Sequence, residues 1–204
     1  MRIAIVGGTG PFGRALAARL VDAGCDVVIG SRDEERARAA AAEIGGRGAR
    51  NEEAVAGADI VVLAVDADAA LETARTLSDR VRAPLFSVAS ELAFVSRAAH
   101  PSDERRSLAE RIAEIVDVPV VAGLHTLAAG KLKQGKPDED AFVCGDDADA
   151  KQLALELAQK VVAGRAVDAG PLAVARALEA LTAVLVNVNR RYKTHAGVRV
   201  TGLA

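Results

Sequence analysis

Residues 7–13 read Gly-Gly-Thr-Gly-Pro-Phe-Gly, a G-x-G-x-x-G spacing carried by Gly8, Gly10 and Gly13. The chemistry such a loop can do is to hold a pyrophosphate. The first glycine permits a tight turn, the second lets the backbone approach the phosphates, and the third allows close helix–strand packing. The helix that follows offers free amides and a partial positive charge. The apolar run Arg2–Val6 before the loop supplies the strand this motif requires. A second strand ends Val28-Ile29-Gly30-Ser31-Arg32, and Arg36 follows one helical turn later. An NAD site wants an acid at that strand end. A hydroxyl and two guanidinium groups suit a 2′-phosphate instead, which points to NADP(H). The alternative is a solvated helix face, because Asp33, Glu34 and Glu35 stand among the arginines.

The elements that must position these groups follow from periodicity. Apolar runs alternate with helical patterns, as in a parallel sheet with crossover helices. Strands are expected at Arg2–Val6, Asp26–Gly30, Asp59–Val65, Leu85–Ala89, Val118–Gly123, Phe142–Cys144 and Ala166–Val167. Helices are expected over Pro11–Ala23, Asp33–Ile44, Asp68–Leu77, Ala148–Val162 and Leu172–Arg190. Asn51 is expected to cap a short helix, and Ser102 to cap another over Asp103–Val116. Residues 130–140 read as a polar loop. The fold class is therefore α/β, a Rossmann-type doubly wound parallel sheet with a small C-terminal helical segment. Residues 1–168 would form the NADP-binding domain, and residues 169–204 a helix and tail for dimerisation and cover of the substrate side. The stretch Leu178–Val188 is apolar on most sides, which suggests a buried helix in a homodimer interface.

Composition narrows the function classes. The chain is 50% hydrophobic and 26% charged, with a net charge of −2, so nothing draws it to nucleic acid or anionic lipid. Four Phe, one Tyr and no Trp are too few rings for base stacking. Charges interrupt every apolar run before it could span a bilayer. The opening residues are too short for a signal-peptide core, so a cytoplasmic location is expected. Cys25 and Cys144 have no Cys-x-x-Cys spacing and no neighbouring histidine, so the sequence offers neither a metal site nor a disulfide framework.

Later segments carry a resemblance. Val95-Ser96-Arg97, Gly123-Leu124-His125-Thr126-Leu127-Ala128-Ala129, Val143-Cys144-Gly145-Asp146-Asp147 and Asp168-Ala169-Gly170-Pro171-Leu172, taken with the glycine loop and Gly30-Ser31-Arg32, resemble the NADPH-dependent reductases of coenzyme F-420 along nearly the whole chain. The resemblance implies hydride transfer, in either direction, between the nicotinamide C4 of NADP(H) and C5 of the 5-deazaflavin co-substrate. It implies that Thr9, Gly10, Pro11 and Phe12 meet the pyrophosphate, and that Ser31, Arg32 and Arg36 meet the 2′-phosphate. Ala64, Val65, Ala67 and Val88 would flank the nicotinamide half, while His125, Leu127 and Ala129 would wall the place where the rings stack.

Direct hydride transfer demands positioning rather than an acid or base. His125 would accordingly act by positioning, or be a packing histidine. Lys131, Lys133 and Lys136 form the chain's one lysine cluster and could meet the anionic tail of the deazaflavin, or form a solvated loop. Two places depart from the family. Asp66-Ala67 stands where a Pro-Trp pair is common, and Val88–Phe94 is longer and carries Glu91. Other readings are an imine or carbonyl reductase of the pyrroline-carboxylate-reductase type and a non-catalytic NADP(H)-binding redox sensor. A short-chain dehydrogenase is disfavoured, because Tyr192 has Ala196 where Tyr-x-x-x-Lys needs lysine.

Overall fold

Ile3 and Ile5 turn to one face of strand β1 (Arg2–Val6) and Ala4 and Val6 to the other, and all four are fully buried. A strand buried on both faces belongs inside a parallel sheet covered by helices. The computed structural model, which describes residues 1–203, places it there. The chain continues through α1 (Pro11–Asp22), β2 (Asp26–Ser31), α2 (Glu34–Ala42), β3 (Arg47–Arg50), α3 (Asn51–Ala54), β4 (Ile60–Leu63), α4 (Ala67–Leu77) and β5 (Leu85–Ser87). A hairpin of β6 (Leu92–Val95) and β7 (Ala98–Pro101) follows, then α5 (Leu108–Ala113), β8 (Val120–Gly123), α6 (Ala129–Gln134), β9 (Ala141–Gly145), α7 (Ala148–Val161) and β10 (Ala166–Asp168). A 3₁₀ turn, Leu172–Val174, leads into α8 (Ala175–Tyr192).

Eight strands form one sheet in the order β10-β9-β8-β5-β4-β1-β2-β3. Every pair is parallel except β8–β9, which is antiparallel. The expected doubly wound fold is thus present, with one reversal near an edge. The alternating faces feed two cores. One joins Ile3, Ile5, Ile29 and Val121 to α1, α2 and α7, and the other joins Ala4, Val6, Leu63 and Leu85 to α4, α5 and the start of α8.

Two local expectations are corrected, and two elements appear that the periodicity does not announce. Arg47–Arg50 is an edge strand; Arg47 anchors it through Asp26 at 2.7 Å. Asn51 is not a cap but the buried first residue of α3. Residues 92–101 form a hairpin whose turn, Ser96 (φ 48°) and Arg97 (φ 70°), takes the left-handed backbone with no glycine to announce it. Helix α5 is shorter than expected and is capped by Ser107, not Ser102. Ser107 and Glu110 satisfy each other's backbone amides in a capping box. The Arg176 guanidinium donates to the Ser102 carbonyl at 2.6 Å and the Glu104 carbonyl at 2.9 Å, which holds the preceding stretch as a loop.

Helix α8 is seated by polar contacts. Asn187 exchanges two hydrogen bonds with the backbone of Ala99 in β7, at 2.8 and 2.7 Å, and Arg190 lies 5.0 Å from the Phe94 ring centre. Glu179, 1% exposed, accepts from the Leu108 amide at 2.9 Å. Burial, and to a lesser degree the charge of Glu91, push its pKa up to about 7, against the opposing amides of Leu108 and Ala109. Beyond α8 the chain returns to the sheet, where the Asp140 amide donates to Val198 and the Val200 amide to the Asp140 carboxylate, each at 2.8 Å. Arg165 pairs with that carboxylate at 2.8 Å. Cys144 is buried, and burial pushes its thiol up to about 12, whereas Cys25 is partly accessible.

Ser107→Ala should lower stability by about 1 kcal/mol, read as a shifted urea midpoint. Glu179 has a raised folded pKa, so its contribution is fully present below the unfolded value of 4.5 and is lost as pH rises through about 7. Glu179→Gln removes that loss. The difference in unfolding free energy, variant minus wild type, should therefore grow in the variant's favour between pH 4.5 and pH 8; a pH-independent difference would refute this.

Candidate functional site

The carboxyl ends of β1, β2, β4 and β5 open into one cleft, which is where open α/β sheets bind ligands. Its largest part, about 560 Å³, runs from Gly7, Thr9, Gly10 and Pro11 to Ser31, Arg32 and Arg36 and is walled on the far side by Ala64, Val65 and Asp66. A lobe of about 330 Å³ continues past Phe12, Ala67, Val88, Ala89, Ser90 and Ala129. A third, of about 300 Å³, lies between Arg32, Asn51 and the α4 residues Ala69, Thr73 and Thr76. Shared walls join the three: Gly10 and Asp66 border the first two, Arg32 and Thr73 the first and third.

Gly10 and Gly13 do the jobs the spacing assigns, but Gly8 does not. The tight turn falls on Gly7, whose φ of 84° is left-handed and where a Cβ would lie 2.6 Å from the Ala64 carbonyl oxygen. Gly8 is instead needed for packing, since a Cβ there would meet the Ile29 side chain and the Ile5 carbonyl at 2.9 Å. A Cβ at Gly13 would lie 2.5 Å from the Gly7 oxygen and 2.8 Å from Gly8, so α1 can approach β1 only through glycine. At Gly10 a Cβ would touch only the Gly7 oxygen, at 3.3 Å, so the side toward the cleft is open. Gly10 is also the N-cap of α1, with no side-chain cap bond, no acid in the first turn and Pro11 next. An anion can take the place of the missing cap.

The cationic end is equally available. Asp33 accepts from the Arg36 amide at 3.1 Å, so its carboxylate is occupied as the α2 cap, and the Asp33 amide donates to Ser31 Oγ at 3.2 Å. That bond uses Ser31 as acceptor and leaves its hydroxyl proton free. On α2 the helix pair is Glu34 with Arg38. Among the described residues neither Arg32 nor Arg36 forms an ion pair, and nor does Asp66.

Of the other expected site residues, Ala64, Val65, Ala67, Val88 and Ala129 line the cleft, but His125 and Leu127 do not. Leu127 packs into the core. His125 is 7% exposed, and burial, only partly offset by the Ala89 backbone, lowers its pKa to about 4. It is a neutral imidazole behind the wall. Its carbonyl accepts from Thr182 Oγ1 at 3.0 Å, and Thr182 meets Ser90 Oγ, a lining residue, at 2.9 Å. Lys131 is not free for a ligand, because it pairs with buried Glu139 at 2.9 Å. Lys133 and Lys136 are exposed, and the three lysines line none of the three lobes. The segment expected as a loop carries Lys131 and Lys133 on α6.

Sequence reasoning missed Asn51, which lines the cleft and whose Oδ1 is buried without a partner; a Cβ on Gly30 would lie 2.9 Å from it. It also missed Thr73 and Ser90. Asn51 read as a cap, and a partnerless buried amide leaves no mark in a sequence.

Comparison with known proteins decides the family. A reductase from Methanothermobacter thermautotrophicus, named F-420-dependent NADP reductase, is 38% identical over 100% of this chain and 96% of its own length. The chain belongs to the F-420-dependent NADP reductase family. A Methanocaldococcus jannaschii member is 31% identical over 100% of this chain and 99% of its own. The family model described as NADP oxidoreductase, coenzyme F420-dependent, matches residues 2–90, from β1 to Ser90 just after β5. A solved Arthrobacter structure, provisionally described as an F-420-dependent NADP reductase, superposes with a TM-score of 0.84 at 26% identity, covering 98% of this chain and 99% of that one. The pyrroline-5-carboxylate reductase of Coxiella burnetii shares the fold, at 16% identity and a TM-score of 0.60 over 81% of this chain and 57% of its own.

If Arg32 holds a 2′-phosphate, Arg32→Ala should raise Kd for NADPH about 10- to 100-fold, the worth of a charge-assisted hydrogen bond. NADH binding should stay nearly unchanged. Fluorescence titration of both dinucleotides checks it; equal weakening of the two would remove Arg32 from that role.

Proposed function

We propose that the chain catalyses hydride transfer between NADP(H) and coenzyme F-420. The observation that carries this is the composition of the cleft from end to end: unpaired Arg32 and Arg36 with the Ser31 hydroxyl, then the uncapped, glycine-lined start of α1, then a lobe walled mainly by Ala, Val, Pro11 and Phe12. That order matches a 2′-phosphate, a pyrophosphate and a pair of flat rings. When both are bound, the coenzyme and the deazaflavin supply the chemistry, a hydride passing between nicotinamide C4 and deazaflavin C5 with a proton exchanged with solvent.

The protein's part is positioning. Thr9, Gly10, Pro11 and Phe12 hold the pyrophosphate against the α1 amides, while Ser31, Arg32 and Arg36 fix the other end. Ala64, Val65, Ala67, Val88 and Ala129 press the rings together and exclude water. Holding reacting atoms at near-contact distance accounts for much of the acceleration such a reaction needs. The neutral His125 and Leu127 support this wall from behind, and Lys133 and Lys136 steer an anionic tail from outside.

The reading includes a cytoplasmic homodimer, with residues 1–168 as the NADP-binding domain and 169–204 as the dimerisation segment. Its support is α8. An 18-residue window within Leu172–Tyr192 has a mean hydropathy of 1.4, yet only 28% of that window is buried, and Val184, Phe94 and Val95 are 54%, 57% and 59% exposed. A second copy laid on this face would cover it. Two unpaired cysteines suit a reducing compartment.

The test is the visible absorbance of oxidised F-420 mixed with protein and excess NADPH. Enzyme-dependent bleaching, much weaker with NADH, is the expected result. NADPH binding without bleaching would sink the hydride-transfer reading and leave a coenzyme-binding scaffold.

A further inference from the structure

Among the residues lining the ring-side lobe, Asp66 alone carries a charge; the rest are glycine, alanine, valine, Pro11, Phe12 and Ser90. Asp66 also borders the larger cavity, so it stands at the waist between the phosphate half and the ring half. It occupies the N-cap position of α4, where aspartate ordinarily turns an oxygen onto the first-turn amides. Here it makes no such bond. A carboxylate without a partner at this point repels the ligand's anionic half, as do Glu52, Asp68 and Glu72 of the third lobe. The ring half is different. Oxidation of a nicotinamide removes a hydride, one proton with two electrons, and leaves the ring one charge more positive.

We propose that Asp66 is a residue that discriminates between the redox forms of the coenzyme, favouring NADP⁺ over NADPH through the charge of the ring. Asp66 is exposed, so solvent screens its carboxylate and it acts on the ring with the modest strength of a surface charge. By linkage, a group that favours the oxidised form in the cleft shifts the bound equilibrium by the same factor, here toward hydride leaving NADPH. The inference rests on the proposed coenzyme reading, with the nicotinamide in this lobe, and adds a directional bias set by one side chain.

The experiment measures Kd for NADPH by fluorescence and for NADP⁺ by competition, in the wild type, Asp66→Asn and Asp66→Glu. Asp66 is exposed and makes no capping bond, and asparagine is an equally good N-cap, so the folded state is retained. The ratio Kd(NADP⁺)/Kd(NADPH) should rise about three- to tenfold in Asp66→Asn and stay near the wild-type value in Asp66→Glu, which keeps the charge. A ratio unmoved by asparagine, or moved equally by both substitutions, overturns the proposal while leaving the coenzyme site standing. Failure of the wild type to bind either dinucleotide overturns the coenzyme reading itself, and this inference with it.

Discussion

The close approach of α1 to the end of β1, and of the glycine loop to the end of β4, is the constraint on which the rest of the molecule depends. It exists because Gly7, Gly8 and Gly13 lack a Cβ. A methyl group at Gly13 would overlap the backbone of Gly7, and one at Gly7 would overlap that of Ala64 while also requiring a strained left-handed backbone. That approach brings the uncapped amides of α1 to the cleft floor, and it sets the depth at which Val65 and Asp66 face Pro11. The parallel sheet supplies the rest. Since β1, β2, β4 and β5 all end on the same side, their carboxyl-terminal residues become neighbours although they are far apart in sequence.

The reversal at β9 serves a separate purpose. Because β9 and β10 run against β8, α8 starts at the end of the sheet away from the cleft and climbs toward it. Its middle then passes Ser90 and the carbonyl of His125 through Thr182, while its later turns carry the β6–β7 hairpin. One helix therefore touches both the back of the ring-side lobe and the exposed apolar face. The buried Glu179 and His125 lie along this route, one with a pKa raised by burial and the other with a pKa lowered by it.

Much of this was legible in the sequence. The strand–glycine loop–helix start, the arginines after β2 and the doubly wound class follow from patterns that act locally: period, turn residues and charge. What stayed hidden depends on tertiary contact. Lys131 reads as a ligand cation until the fold brings Glu139 against it. His125 stands in a motif, but only the packed structure puts it behind the wall. The hairpin turn at Ser96-Arg97 has no glycine, and the contacts that hold it, Asn187 of α8 to Ala99 and Arg190 to the Arg97 carbonyl, exist only in the folded chain. Ser107 is a different case, because its Ser-x-x-Glu box is a local pattern present in the sequence.

The two thiols have a practical consequence. Cys144 is sealed inside the sheet with its thiol held protonated, while Cys25 sits partly accessible just before β2, at the end of the sheet remote from the cleft. An alkylating reagent near neutral pH thus meets one addressable position on the whole surface. A fluorophore or a tether attached there would point away from the cleft mouth. The molecule can be anchored to a support with its open side facing solution, with no cysteine to add and none to remove.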